Sequence, residues 1–143
     1  MGSALPGAIA ASIVHPDRKV LGIAGDGGFL MNVQEMETAH RLGSDIVMLV
    51  WEDGGYGLIS WKQEDEFGRH TALGFGNPDW LQLAEAFGWG GHRVERSREF
   101  RTTLETAFAE KGPSLVVAPV DYRENRELTR RLGEIIGAGI VGG

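Results

Sequence analysis

Two short apolar runs, Val20 to Ala24 and Ile46 to Trp51, both stop at glycines grouped around carboxylates: Gly25-Asp26-Gly27-Gly28 after the first, Glu52-Asp53-Gly54-Gly55 after the second. Between them Val33, Met36, Ala39 and Leu42 recur at helical spacing, with Gln34, Glu35, Glu37, His40 and Arg41 on the other side. Runs this short and this rich in β-branched residues read as buried strands. A strand, a helix and a second strand in that order imply a parallel pair joined by a right-handed crossover. The expected architecture is therefore a three-layer α/β/α domain around a mostly parallel sheet. Neighbouring parallel strands end at the edge where open α/β sheets bind ligands, which places Asp26 and Asp53 where they can share one divalent cation.

The rest of the chain continues the alternation. Gly7 to Val14 is a helix of small residues suited to close packing on a sheet, with Pro6 in its first turn and an end before His15-Pro16. Asn32 is expected to cap the helix that Gly43 ends. Residues 54–76 read as a short helix and then a long ligand-facing loop. Asn77-Pro78-Asp79 starts a further helix through Phe87, and His92-Arg93-Val94 is a third strand. Ser97 caps a helix through Glu110, and Ser114 to Val120 forms a fourth strand. Residues 123–143 read as a charged helical tail with a frayed, glycine-rich end, and the whole of 1–143 as a single domain.

Composition removes several classes of function. The net charge of −6 comes without any basic patch, so no nucleic-acid partner is expected. No apolar run approaches the ~20 residues needed to cross a bilayer. The sequence has no cysteine, which rules out disulfides, zinc-thiolate sites and thiol catalysis. The N-terminus does not read as a signal peptide, and a cytoplasmic location is expected. The one excess is 22 glycines in 143 residues, and they fall at the ends of apolar segments, where tight turns and close backbone approach to a ligand need a residue without Cβ.

A carboxylate flanked by glycines and exposed backbone N–H groups suits a hard cation that carries a phosphate, and magnesium favours few carboxylates plus phosphate oxygens. The plainer alternative is that Asp26 shapes a turn and Asp53 caps one. A dinucleotide site is a third possibility, since Gly22-x-x-Gly25-x-Gly27 follows a strand. Its spacing departs from Gly-x-Gly-x-x-Gly, and Asp26 would repel a pyrophosphate unless a cation intervened. None of His15, His40, His70 and His92 pairs with another at metal-ligand spacing.

Gly25-Asp26-Gly27, with Asp53 following Asp26 by 27 residues and Gly55-Tyr56 just behind, resembles the thiamine diphosphate binding motif of the pyruvate-oxidase and acetolactate-synthase superfamily. Phe29 to Ala39, Tyr56 to Gln63, Phe75 to Asp79 and Pro119 to Asn125 look like the C-terminal cofactor-binding domain of acetolactate synthase. The Val-Asp-Tyr-Arg-x-Asn ending is similar to the catabolic, FAD-independent type. The resemblance implies Mg²⁺ held by Asp26, Asp53 and the carbonyl of Gly55. It implies a cofactor-binding set of Met1, Gly25, Asp26, Gly27, Gly28, Asp53, Gly55, Tyr56, Gly57, Leu58 and Ile59, and no FAD. It implies no catalytic residue here, because the family takes its activating glutamate from a pyrimidine-binding domain of a neighbouring subunit. The expected reaction is two pyruvate to 2-acetolactate plus CO₂, in a homo-oligomer. Another 2-keto acid decarboxylase subunit, or a non-catalytic binding module, are the alternatives. Met1 falls at the residue that wedges under the family's cofactor, so an N-terminally truncated form of the fold is expected.

Overall fold

The computed structural model describes residues 1–122 and residue 127, and the expected helical tail over 123–143 lies outside the described residues apart from Glu127. The described elements are α1 (Ala4–Val14), β1 (Val20–Gly25), α2 (Asp26–Leu30), α3 (Glu35–Arg41), β2 (Ile46–Glu52), α4 (Gly57–Phe67), α5 (Trp80–Ala86), β3 (Gly90–Arg93), a 3₁₀ turn (Ser97–Glu99), α6 (Phe100–Ala109) and β4 (Ser114–Pro119). The chain divides into two compact units, residues 1–55 with 74–120, and residues 56–73 with the chain from Asp121 onward.

The first unit holds a four-stranded sheet in the order β1-β2-β4-β3, and all three strand pairs are parallel. Side chains alternate across a strand, so β2 and β4 feed two cores. Ile46, Met48, Val50, Leu115 and Val117 meet α1, α2, α3 and α5 through Leu5, Ile9, Phe29, Met36, Ala39, Trp80 and Ala84. Val47, Leu49, Val116 and Ala118 meet Ala107, Phe100 and Leu104 of α6 on the opposite face. These are the three layers that the alternation of elements predicts. α1 packs as closely as its small residues allow: a Cβ on Gly22 would fall on the Met48 sulfur and within 3.1 Å of the Ala8 Cβ.

Three local expectations are corrected. β1 is buried on one face only, with Leu21 and Ile23 39% and 52% exposed. It lies at the edge of the sheet, and α6 packs on β3 and β4. The chain does not run from β1 into a glycine loop, since α2 begins at Asp26 itself, a turn covers 31–34, and α3 starts only at Glu35. Asn32 consequently caps nothing, and its side-chain amide donates to the Gly2 carbonyl at 2.5 Å. Ser97 opens a 3₁₀ turn without a side-chain cap, and α6 follows from Phe100. Where the backbone demands glycine the reading holds: Gly43 follows α3 at φ +61°.

In the second unit, α4 ends at Gly68, whose left-handed backbone (φ +65°) brings its N–H to the Glu64 carbonyl at 2.8 Å. Trp61 meets Tyr122 edge to face at 5.8 Å, and His70 Nδ1 lies 2.7 Å from Glu64 Oε1. Among the described residues no helix is long and apolar enough to cross a membrane.

Candidate functional site

β1 and β2 pair in register from Val20 with Ile46 to Gly25 with Trp51, so the residues that follow each strand emerge side by side. Asp26 is 1% exposed, and its carboxylate is held on both oxygens. Oδ1 accepts from the Gly27 N–H at 2.7 Å. Oδ2 accepts from the Asp53 N–H at 3.1 Å, the Gly54 N–H at 2.8 Å and the Asn77 side-chain amide at 2.8 Å. A buried carboxylate is stable only where such donors replace its water. Asp26 thereby ties the end of β1 to the backbone beyond β2.

The Asp53 carboxyl lies against that of Asp26. Burial, the charge of Asp26 and a hydrogen bond to the Asp26 carboxyl together hold its pKa above the ordinary 3.8, opposed by donation from the Gly55 N–H. A divalent cation beside Asp53 would offset the repulsion that raises its pKa. Gly55 faces Gly74 in an antiparallel bridge whose hydrogen bonds run on either side, from Phe75 N–H to the Gly54 carbonyl (3.2 Å) and from Tyr56 N–H to the Leu73 carbonyl (3.0 Å). The bridge itself therefore leaves the Gly55 carbonyl unused.

This donor set fits a magnesium ion that carries phosphate. Among the described residues no group of three or more His, Cys, Asp or Glu could hold a metal; the donors gathered at these strand ends are two carboxylates and a backbone carbonyl. Mg²⁺ completes its octahedron with water and phosphate oxygens in sites of that kind. A Cβ on Gly25 or Gly28 would meet nothing within 4 Å, so the backbone at both positions is open to a ligand. Gly28 lies in the first turn of α2, where N–H groups lack helical acceptors. The Gly27 N–H differs from expectation, because it is already given to Asp26.

The structure thus brings Gly25, Asp26, Gly27, Gly28, Asp53 and Gly55 together at one edge of the sheet. Met1 belongs to the same unit, is 71% exposed, and precedes the Gly2 carbonyl that Asn32 holds. Tyr56, Gly57, Leu58 and Ile59 form the N-cap and first turn of α4 in the second unit, with Leu58 and Ile59 exposed.

Sequence reasoning missed the support behind Asp26. Glu52, one residue before Asp53, accepts from Arg93 Nη2 at 2.6 Å and from the Trp80 indole N–H at 2.6 Å. Asn77 Nδ2 lies 3.4 Å from the same Glu52 oxygen. The available signal was Asn77-Pro78-Asp79-Trp80: a residue before proline is kept out of the helix, and Asp79 caps α5 through the Leu81 and Gln82 N–H groups.

A parallel sheet whose first two strand ends present a buried carboxylate, a second carboxyl and open glycine backbone defines a cofactor-diphosphate domain. Residues 1–118 match the family described as thiamine pyrophosphate enzyme, C-terminal TPP binding domain, and the chain belongs to that family. Within it the similarity runs to acetolactate synthases. The chain is 42% identical over 132 residues to the catabolic acetolactate synthase of Raoultella terrigena, covering 92% of this chain and 24% of that protein. It is 40% identical over 141 residues to the acetolactate synthase of Bacillus subtilis (strain 168), covering 95% and 25%. In structure it resembles the Rhodococcus jostii RHA1 thiamine diphosphate-dependent 4-hydroxybenzoylformate decarboxylase, with a TM-score of 0.79 and 27% identity over 87% of this chain and 24% of that one. The chain spans about a quarter of the length of the relatives it matches.

Proposed function

We propose that this chain anchors the diphosphate of thiamine diphosphate through Mg²⁺ in an acetolactate synthase, which joins two pyruvate to give 2-acetolactate and CO₂. The observation that carries the reading is the juxtaposition of Asp26 and Asp53. The buried Asp26 is fixed by four N–H donors, and the Asp53 carboxyl, raised in pKa, lies against it. Asp26, Asp53 and the Gly55 carbonyl are the proposed metal ligands. Gly25 and Gly28 are the backbone positions open to the diphosphate. The bound cofactor supplies the electron sink for decarboxylation of a 2-keto acid.

The role proposed for the chain's own residues is positional. The donors around Asp26 fix the orientation of one carboxylate, and the strand register sets the second beside it. Met1 is a proposed wall of the cofactor site; for Tyr56, Gly57, Leu58 and Ile59 of the second unit the proposed cofactor contact is the one that the family resemblance implies. A pyrimidine-binding domain, on the same or another chain of a homo-oligomer, is the proposed partner. The similarity to the catabolic acetolactate synthase of Raoultella terrigena supports pyruvate as substrate.

Calorimetric titration of the chain with thiamine diphosphate, with and without Mg²⁺, tests the anchor. Binding that requires the metal and is lost in Asp53→Ala is expected. Binding that is equal with and without Mg²⁺ would exclude it.

A further inference from the structure

Asp26 and Glu52 are both carboxylates, acceptors only, and one side chain spans them. The Asn77 amide lies 2.8 Å from Asp26 Oδ2 and 3.4 Å from Glu52 Oε1. Only the NH₂ end of an amide can face two carboxylates, so the orientation of Asn77 follows from its neighbours. The same orientation leaves Asn77 Oδ1 buried, with no partner among the described residues. An orphaned acceptor is destabilising and uncommon in native folds. Its presence here indicates that donation toward Asp26 outweighs it.

The surroundings fix Asn77 from both ends. Pro78 holds the backbone after it in one narrow range of φ, and Asp79 then caps α5 with two hydrogen bonds of 3.1 Å. Trp80 packs edge to face on Phe29 of α2, 6.0 Å between centroids, and donates to the Glu52 oxygen that Asn77 approaches. Arg93 of β3 binds the other Glu52 oxygen and balances its charge. The start of α5 is thus pinned to α2 by an aromatic contact and to β2 and β3 through Glu52.

We infer that Asn77 is a positioning residue: it clamps Asp26 to the Glu52–Arg93 ion pair, so that the metal-side carboxylate keeps one orientation. This rests on the proposed function for Asp26 and extends it. It makes Asn-Pro-Asp-Trp a single device, in which Asn77 is the arm, Pro78 and Asp79 set its base, and Trp80 steadies the anchor. Glu52 is assigned to this support, since Arg93, Trp80 and Asn77 all donate to its oxygens.

The test compares the wild-type chain with Asn77→Ala and Asn77→Asp by calorimetry with thiamine diphosphate and Mg²⁺. Removing an outer-shell partner of a metal ligand typically lowers affinity about 10–100-fold. Asn77→Ala is expected to fall in that range. Asn77→Asp keeps the shape and loses the donor, and is expected to bind no better than the Ala variant. If Asn77 serves only to fill space, Asn77→Asp regains wild-type affinity, and the inference is overturned. A second readout needs no ligand and no change at Asn77. In the ¹⁵N spectrum of the metal-free chain, the Asn77 side-chain amide pair is expected to shift in Asp26→Asn, and an unmoved pair would refute the clamp. A wild-type chain that shows no Mg²⁺-dependent binding overturns the proposed function and this inference together. Wild-type binding matched by both variants overturns the inference alone.

Discussion

Asp26 carries four hydrogen bonds on a side chain that is almost fully buried, so its replacement tests a structural role and a binding role together. In Asp26→Ala the N–H groups of Gly27, Asp53 and Gly54 lose their acceptor, and the Asn77 amide keeps only its longer contact to Glu52. A buried donor left unpaired costs about 1–3 kcal/mol. Three of the four bonds lie at part-buried positions that water can reach, so the lower end applies and the loss is about 4 kcal/mol. That is a large share of the roughly 5–15 kcal/mol that holds a domain together. At this size it corresponds to a fall of roughly 8–16 °C in Tm. In Asp26→Asn the amide oxygen can face the three donors now on Oδ2, so only the Gly27 N–H is opposed and the expected loss is about 1–2 kcal/mol. Relief of the repulsion with Asp53 offsets part of it. Thermal and denaturant melts followed by circular dichroism, without metal, measure both. An Asp26→Ala chain that melts with Asp26→Asn would show that the donors find water freely, and the account of Asp26 as the hub of the strand ends would fail.

The raised pKa of Asp53 means that the folded chain binds protons more readily than the unfolded one, so this group's contribution to stability falls as pH rises from 3.8 through the raised value. Asp53→Asn is therefore expected to raise the metal-free Tm at neutral pH; a lower Tm would contradict the burial and repulsion described. Glu110 is shifted the other way, chiefly by its hydrogen bond to His92, and its contribution is present above the ordinary 4.5 and lost as pH falls through the lowered value. Glu110→Gln should flatten the acid limb of a Tm-against-pH profile, and an unchanged limb would remove Glu110 from acid stability. Gly22→Ala places a methyl against Met48 and Ala8 in a core with no room, and overpacking of this kind costs about 1–3 kcal/mol. A denaturant midpoint equal to wild type would show that the Met48 side chain or α1 gives way to the methyl.

Local rules were enough for much of this protein. Short apolar runs bounded by polar or turn residues specify β1, β2 and β4 because a residue's propensity and its neighbours' polarity act within a few positions. The three-layer, parallel arrangement then follows from chain connectivity. Asp26 and Asp53 were legible as a pair because each ends a strand and the intervening segment is one crossover. Edge exposure was not legible: Val20 to Ala24 is as apolar as a central strand, yet its burial depends on what packs across it, and α6 packs elsewhere on that face. The helix at Asp26 was hidden because glycine propensity disfavours it, while tertiary packing of Phe29 in the core and the hydrogen bonds to Asp26 outweigh that preference. The partition of Glu52 and Asp53 also needed the tertiary fold. Two adjacent acids are equivalent in sequence, but strand alternation turns Glu52 toward Trp80, Asn77 and Arg93, residues 25 to 41 positions away, and leaves Asp53 against Asp26. Sequence determined which carboxylates reach the edge of the sheet, and the fold decided which of them is clamped, which is neutralised, and which is left beside another charge.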